Sequence, residues 1–171
     1  MNQQPRVGIA LGSDSDWPVM KACWDTLKKF GIPAEVSVRS AHRTPDEAAT
    51  YARQAAGRGL RVLIAAAGGA AHLAGALAAH TTLPVIGVPI ASTPLQGMDS
   101  LYATVQMPPG IPVATVAIGE YGAVNAAILA AQILAHGDDV LQAKLVAHKR
   151  EMVEKVAGKN KALLEKIKAG P

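Results

Sequence analysis

Short apolar runs alternate with longer stretches of helical periodicity along the chain. The apolar runs predict five β-strands, at 7–11, 34–38, 62–67, 85–88 and 113–117. The stretches between them predict helices at 17–30, 45–56 and 123–135. Two further short helices are predicted, one ending near residue 81 and the other ending near residue 107. The third run is apolar throughout, which is typical of a parallel strand buried on both faces. The alternation therefore predicts an α/β fold of three layers, a parallel sheet between two layers of helices.

We expect a single domain over residues 1–171, because no change in composition marks a second one. Its α/β core spans residues 6–136. Right-handed crossovers restrict the topology, and five strands favour the flavodoxin-like order 2-1-3-4-5 over a six-stranded Rossmann sheet. A long C-terminal helix follows, starting near Asp138.

Two helices carry more apolar surface than a monomer of this size would bury. The predicted helix at 123–135 is apolar nearly all round, which indicates burial on more than one side. The helical extension at 138–168 carries a long apolar stripe: Leu141, Leu145, Val146, Met152, Val153, Val156, Leu163, Leu164 and Ile167. We expect this extension to pack on a neighbouring subunit. The alternative is a helix folded back on its own sheet.

Composition and charge exclude several classes of protein. Hydrophobic residues make up 50% of the 171, so the chain is globular and not disordered. The net charge is +4, but much of the basic excess lies at 144–168 among glutamates. That pattern favours a solvated helix face over a nucleic-acid surface. The single cysteine, Cys23, excludes an internal disulfide and is expected to be a buried apolar residue.

The chain shows no targeting or metal-binding pattern. Residues 1–6 have no apolar signal core, and no apolar run is long enough for a membrane span. We therefore expect a cytoplasmic protein with neither a membrane nor a nucleic-acid partner. One cysteine and five histidines without close ligand spacing predict no metal site.

The strongest candidate for chemistry is the segment Ser40-Ala41-His42-Arg43-Thr44-Pro45, which follows the second strand and precedes a helix. Thr44 is expected to be the N-cap, with Pro45 in the first turn and Glu47 completing a capping box. Ligands of parallel α/β sheets bind at this end of the strands. Arginine is a permanent anion donor, and histidine can exchange a proton near neutral pH. A histidine on a surface loop without a catalytic role is the competing interpretation.

Two further loops follow the first and third strands at the same edge of the sheet. The first, with Ser13, Ser15 and Asp16, offers backbone amides and hydroxyls to a phosphate, or a carboxylate to ribose hydroxyls. An ordinary capped turn would explain it equally well. The other loop allows a flat ligand to approach its backbone closely, and it consists of Gly68, Gly69, Ala70, Ala71 and His72. His72 is expected either to bind a ligand or to cap the next helix.

Together the three loops indicate proton transfer on a phosphorylated small molecule, without a cofactor. There is no Walker glycine-lysine loop for ATP and no acidic cluster for magnesium.

Several motifs occur in order over about residues 6–136: 12–17 (GSDSDW), 40–45 (SAHRTP), 67–73 (AGGAAHL), 99–101, 105–108, 110–113, 125–127 and 130–134. In residues and spacing they resemble the bacterial N5-carboxyaminoimidazole ribonucleotide mutases of purine biosynthesis, class I of the AIR carboxylase family. The chain departs from the family's commoner residues at Ala74, Ala76, Ala91, Glu120 and Tyr121.

The resemblance implies a flavodoxin-like homo-octamer that converts N5-carboxyaminoimidazole ribonucleotide to its 4-carboxy isomer without a cofactor. It implies His42 as the general acid/base and Ser13, Asp16 and Arg43 as nucleotide-binding residues. It also implies that the loop from Gly68 to His72 lines the imidazole and carboxylate region.

Other enzyme or binding functions remain open at this stage. An aminoimidazole ribonucleotide carboxylase using free carbon dioxide belongs to the sister branch, which typically has Lys-Gly where this chain has Arg43-Thr44. A flavodoxin-like flavin-binding module would need aromatic residues in its loops to stack on the flavin, and the three loops offer only Trp17. A non-catalytic nucleotide-binding module of the same fold would not explain His42.

Overall fold

A computed structural model describes residues 4–169 of the chain. The strands are β1 (Val7–Leu11), β2 (Ala34–Val38), β3 (Val62–Gly68), β4 (Val85–Ile90) and β5 (Ala114–Thr115). The helices are α1 (Trp17–Phe30), α2 (Pro45–Ala55), α3 (Leu73–Ala78), α4 (Met98–Val105), α5 (Glu120–Leu134) and α6 (Asp139–Ala169), with a short 3₁₀ helix at Asp14–Asp16. The chain divides into two compact units, one ending at Ile133 and the other beginning at Leu134.

The sheet of the first unit is parallel throughout and has the order β2-β1-β3-β4-β5, which confirms the predicted topology. The last residue of β1, Leu11, lies opposite Val38 of β2 and Ala66 of β3. Gly68 of β3 lies opposite Ile90 of β4. This register brings the carboxyl ends of four strands to one edge of the sheet.

Apolar side chains on one face of α1 and of α2 pack in the core with the buried strands. Every residue of β1 and β4 is buried. The buried face of α1 consists of Met20, Cys23, Leu27 and Phe30, and that of α2 of Ala48, Tyr51, Ala52 and Ala55. Burial raises the pKa of the Cys23 thiol to about 12, so this residue behaves as the inert apolar side chain that the sequence predicted.

The predicted capping box at Thr44 is wrong. Thr44 stands at the N-cap of α2, but its hydroxyl donates to the carbonyl of Ser40 at 3.2 Å and caps no helical amide. The Thr44 hydroxyl is therefore used in a hydrogen bond within the preceding turn and not at the helix N-terminus. A capping box forms instead at the 3₁₀ helix, where Ser13 accepts from the amide of Ser15 and Asp16 accepts from the amide of Ser13.

The strand lengths also differ from the prediction. Only Ala114 and Thr115 form β5, which is an edge strand and pairs with β4 alone. The Val116 amide donates one more hydrogen bond to the Gly87 carbonyl at 3.1 Å, and the chain then turns away from the sheet. In contrast, β3 extends to Gly68 and β4 to Ile90, since these two central strands continue to pair. Helix α5 begins three residues earlier than predicted.

The second unit is built on α6, which covers residues 139–169. The carboxylate of Asp138 accepts a hydrogen bond from the amide of Leu141 at 3.0 Å and so caps the helix. Leu141 and Leu145 are buried, whereas the rest of the predicted stripe is exposed, from 37% at Met152 to 70% at Val153. Within residues 4–169, no helix combines the length and the apolar character needed to cross a membrane. Residues 1–3 of the segment considered for targeting lie outside the described residues.

Candidate active site

A cavity of about 260 Å³ opens at the carboxyl ends of β1 to β4. Its lining includes nearly all the residues predicted from the loops: Ser13, Ser15, Asp16, Ser40, His42, Arg43, Gly68, Ala70 and His72. Gly69 and Ala71 are the exceptions and stand outside the lining, and the chain turns at Gly69 with a φ of 59°. The prediction assigned no site role to Ala41, Ala67, Leu73 or Ser92, which also line the cavity.

The loop after β1 forms a compact polar wall. The Ser15 hydroxyl donates to the Ser13 hydroxyl at 2.9 Å, and the Ser13 hydroxyl lies 3.1 Å from a carboxylate oxygen of Asp14. The Asp16 carboxylate lies 3.1 Å from the Ser13 amide and accepts its hydrogen bond. These bonds fix both hydroxyls at the mouth of the cavity before any ligand binds.

Asp16 is the one buried carboxylate among residues 4–169, at 4% exposure. Burial raises the pKa of its carboxyl above the usual range, although the amides of Ser13 and Gly12 partly oppose the shift by hydrogen bonding to the charged form. The site therefore holds a carboxylate at an energetic cost. Such a cost is common where a charge serves binding or catalysis.

The loop after β2 is a tight turn that presents Arg43 to the cavity. The Ser40 hydroxyl accepts the Arg43 amide at 3.1 Å, and the Ser40 carbonyl accepts the Thr44 amide at 3.0 Å. Within the described part of the chain, the Arg43 guanidinium forms no ion pair, so all its donors are available to an anion.

His42 and His72 form a pair across the cavity. Nε2 of His42 lies 2.8 Å from Nδ1 of His72, and the two rings meet edge to face with their centroids 5.0 Å apart. One ring donates and the other accepts in this hydrogen bond. His72 occupies the N-cap position of α3 but makes no capping bond with its side chain, so of the two roles considered for it, capping of the helix does not occur.

Two groups of side chains in the cavity determine what chemistry it can perform. Arg43 and the hydroxyls of the β1 loop can bind an anion, and the histidine pair can give or take a proton beside it. Among residues 4–169, no three His, Cys, Asp or Glu side chains are close enough together to hold a metal ion.

The fold and the cavity define a flavodoxin-like α/β protein whose site suits acid–base chemistry on an anionic small molecule. The AIR carboxylase family model matches residues 6–155, which is most of the chain. The chain belongs to the AIR carboxylase family.

Curated relatives share more than half of their residues with this chain. It is 57% identical over 151 residues to the N5-carboxyaminoimidazole ribonucleotide mutase of Vibrio parahaemolyticus, covering 88% of this chain and 94% of the relative. It is 55% identical over 161 residues to the enzyme of the same name from Mycobacterium tuberculosis, covering 94% and 91%. The Bacillus subtilis enzyme of that name is 59% identical over 142 residues, with 83% and 88% covered.

Solved structures show the same fold. Treponema denticola PurE superimposes with a TM-score of 0.83 at 28% identity, covering 93% of this chain and 98% of its own. A PurE2 variant from the same organism gives a TM-score of 0.85 at 26% identity, covering 94% and 99%.

Replacing Asp16→Asn should stabilise the folded protein near pH 7. The raised pKa means that ionised Asp16 costs folding free energy above its folded pKa, whereas below its unfolded pKa both states are protonated and the cost disappears. Asparagine keeps an acceptor without the charge. We expect a higher melting temperature than that of the wild type at neutral pH. Thermal unfolding from pH 8 down to pH 3 should show the gain vanish below about pH 4.

The matched control is Asp14→Asn, which changes an exposed carboxylate two residues away. This variant should melt close to the wild type at neutral pH. An Asp16→Asn protein less stable than the wild type at pH 7 would mean that hydrogen bonds to the carboxylate outweigh the cost of burying it.

Proposed function

We propose that this chain converts N5-carboxyaminoimidazole ribonucleotide to 4-carboxy-5-aminoimidazole ribonucleotide in purine biosynthesis. The relatives at 53–59% identity carry the name of that mutase. The observation that carries the proposal is the hydrogen-bonded His42–His72 pair beside Arg43 in one cavity. This arrangement combines proton transfer with anion binding, and the reaction requires both.

The residues divide into two groups by their place in the cavity. Ser13, Asp16 and Arg43 bind the ribose phosphate, because they supply a hydroxyl, a carboxylate for sugar hydroxyls and an unpaired guanidinium. Ser15 and Ser40 hold these groups in position through their hydroxyls. The imidazole and its carboxyl group lie against Gly68, Gly69, Ala70 and His72.

His42 acts as the general acid and then as the general base. The substrate is a carbamate, and cleavage of its nitrogen–carboxyl bond releases carbon dioxide while His42 protonates the ring's amino nitrogen. The free aminoimidazole is nucleophilic at carbon 4, which attacks the carbon dioxide and forms the new carbon–carbon bond. His42 then removes the proton from carbon 4. The proton and the carboxyl group balance over the two steps.

His72 positions His42 in this scheme. Its hydrogen bond fixes the orientation of the His42 ring and selects which nitrogen carries the proton. The walls formed by backbone at Gly68 and by apolar side chains keep the released carbon dioxide beside carbon 4, where confinement gives a large advantage over capture from solution.

The two alternatives have less support. A carboxylase that uses free carbon dioxide is not favoured, because the relatives with the highest identities given above are named mutases. A flavin-binding module would need an aromatic residue to stack on the ring, and none lines the cavity among the described residues apart from the two histidines.

The mutase is tested by following the origin of the product's carboxyl group. The pure protein is given the N-carboxylated ribonucleotide in buffer containing ¹³C-bicarbonate, and product formed in the first turnovers is analysed by mass spectrometry. We expect little label, since carbon dioxide released in a confined site recombines before it exchanges. Free aminoimidazole ribonucleotide should react only at high bicarbonate. Label entering at the rate of turnover would instead assign the chain to the carboxylases.

The variant His42→Asn should fold normally and be almost inactive. Asparagine keeps the polarity and approximate size of the side chain but cannot exchange a proton, and losing this help typically costs about 10²- to 10⁴-fold in rate. Product formation should be measured with circular dichroism and melting temperature as controls for folding. More than half of the wild-type turnover in this variant would remove His42 from the mechanism.

We further propose that the chain assembles as a cytoplasmic homo-octamer in which α6 packs on a neighbouring subunit. Supporting this, α6 exposes large apolar side chains along its length, and α4 exposes Met98, Tyr102 and Val105 on one face. Exposed apolar surface of this extent usually marks an interface. Multi-angle light scattering should give a mass near eight chains, and a monomer mass would contradict the assembly.

A further inference from the structure

Ser92 projects into the cavity from the end of a fourth strand. It follows β4 by two residues and joins the lining opposite the loops of β1 and β2. Its side chain lies directly over Gly68, since a Cβ atom added to Gly68 would stand 1.9 Å from the Ser92 hydroxyl oxygen. The absence of a side chain at Gly68 is therefore what gives the Ser92 hydroxyl its place in the wall.

Hydrogen bonds from α4 hold the loop that carries Ser92. Ser100 is fully buried, and its hydroxyl lies 3.0 Å from the carbonyl of Ile90 and 2.9 Å from that of Gly97. Thr93, next to Ser92, donates its hydroxyl to Asp99 at 2.6 Å, and the Asp99 carboxylate also accepts the Ser100 amide at 2.9 Å. The loop is thus fixed on both sides of Ser92.

The Ser92 hydroxyl itself is not engaged. Within residues 4–169 it has no hydrogen-bond partner, whereas the hydroxyls of Thr93 and Ser100 on either side are used in the network. A serine hydroxyl offers one donor and two acceptor positions. All of them are available to a ligand in the cavity.

The strand order shows which part of the substrate reaches Ser92. Arg43 follows β2, and Ser92 follows β4, three strand positions away or about 14 Å across the sheet. With the phosphate at Arg43, the opposite end of the ribonucleotide, which is its carboxylated imidazole, points towards β3 and β4. Of the lining residues that follow these two strands, only His72 and Ser92 have polar side chains.

We propose that the Ser92 hydroxyl donates a hydrogen bond to the migrating carboxyl group and retains the released carbon dioxide. This inference rests on the proposed mutase function. Ser92 makes and breaks no covalent bond, and its proton stays on its oxygen. The intermediate, aminoimidazole ribonucleotide with carbon dioxide beside it, has two fates: carbon 4 recaptures the carbon dioxide, or the carbon dioxide escapes and leaves free aminoimidazole ribonucleotide. The Ser92 hydroxyl favours recapture over escape.

The test is the partition ratio of the full-length Ser92→Ala enzyme given N5-carboxyaminoimidazole ribonucleotide. Free aminoimidazole ribonucleotide and the 4-carboxy product are quantified together by chromatography, after correction for uncatalysed decarboxylation of the substrate. We expect the ratio of escape to recapture to rise about 2- to 10-fold, the effect of losing one hydrogen bond to the uncharged carbon dioxide. The KM should change much less than the ratio, because phosphate binding at Arg43 is intact.

Two further variants separate this role from a structural one. Thr93→Ser keeps the hydroxyl bonded to Asp99 and should give the wild-type ratio. Gly68→Ala places a methyl group where the Ser92 hydroxyl lies and should raise the ratio as Ser92→Ala does. Adding Ser92→Ala to Gly68→Ala should then raise the ratio little further, since both changes remove the same contact.

The outcomes for Ser92 and for the proposed function are distinct. An unchanged ratio in Ser92→Ala, or a higher KM with an unchanged ratio, overturns the role of Ser92 and leaves the mutase function in place. A wild-type enzyme that forms no 4-carboxy product overturns both. If Gly68→Ala fails to fold, Ser92→Ala with its Thr93→Ser control still decides the question.

Discussion

The site depends on the parallel register of β1 with its neighbours. Because Leu11 lies opposite both Val38 and Ala66, three strands end at nearly the same height. The loops that follow them must then turn over the same edge. A shift of one residue would reverse the side-chain faces of a strand and remove its loop from the cavity. Every residue of β1 is buried, so such a shift would also place side chains of the wrong size in a closely packed interior.

The loops on the two sides of this edge contribute different chemical groups to the site. The β1 and β2 loops contribute fixed hydroxyls, a buried carboxylate and, among the described residues, a guanidinium without an ion pair. In the proposed function the hydroxyls and the guanidinium bind the phosphate and the carboxylate accepts from the ribose hydroxyls. The β3 and β4 loops contribute backbone, apolar side chains, His72 and Ser92. The histidine pair lies at the boundary, since His42 comes from one side and His72 from the other. In the proposed mechanism, proton transfer therefore takes place where the two ends of the substrate meet.

Much of this arrangement was predictable from the sequence because it follows from local patterns. The apolar runs predicted the five strands, and their number together with right-handed crossovers favoured the observed order. The general rule for parallel sheets placed His42, Arg43 and Asp16 together. The His42–His72 hydrogen bond was not predictable, since it joins side chains 30 residues apart in the sequence. The capping box at Thr44 failed because the nearby Ser40 carbonyl takes the Thr44 hydroxyl. Ser92 obeys the same strand-end rule as His42, but its loop has no histidine or paired glycines to draw attention to it.

The proposed mechanism requires a closed cavity that retains carbon dioxide, and a single subunit closes it only in part. His42, Arg43 and His72 are exposed in the single chain, so its own loops do not seal the cavity. Substrate closes part of the opening, because the phosphate and ribose would fill the region between Arg43 and the serines. In the proposed octamer another subunit would cover the rest, and the exposed apolar face of α4, which follows the loop of Ser92, is a surface that such a subunit would bury. In the proposed octamer, assembly and carbon dioxide retention are therefore coupled: subunits that separate would retain the histidine pair but lose the closure that favours recapture over escape.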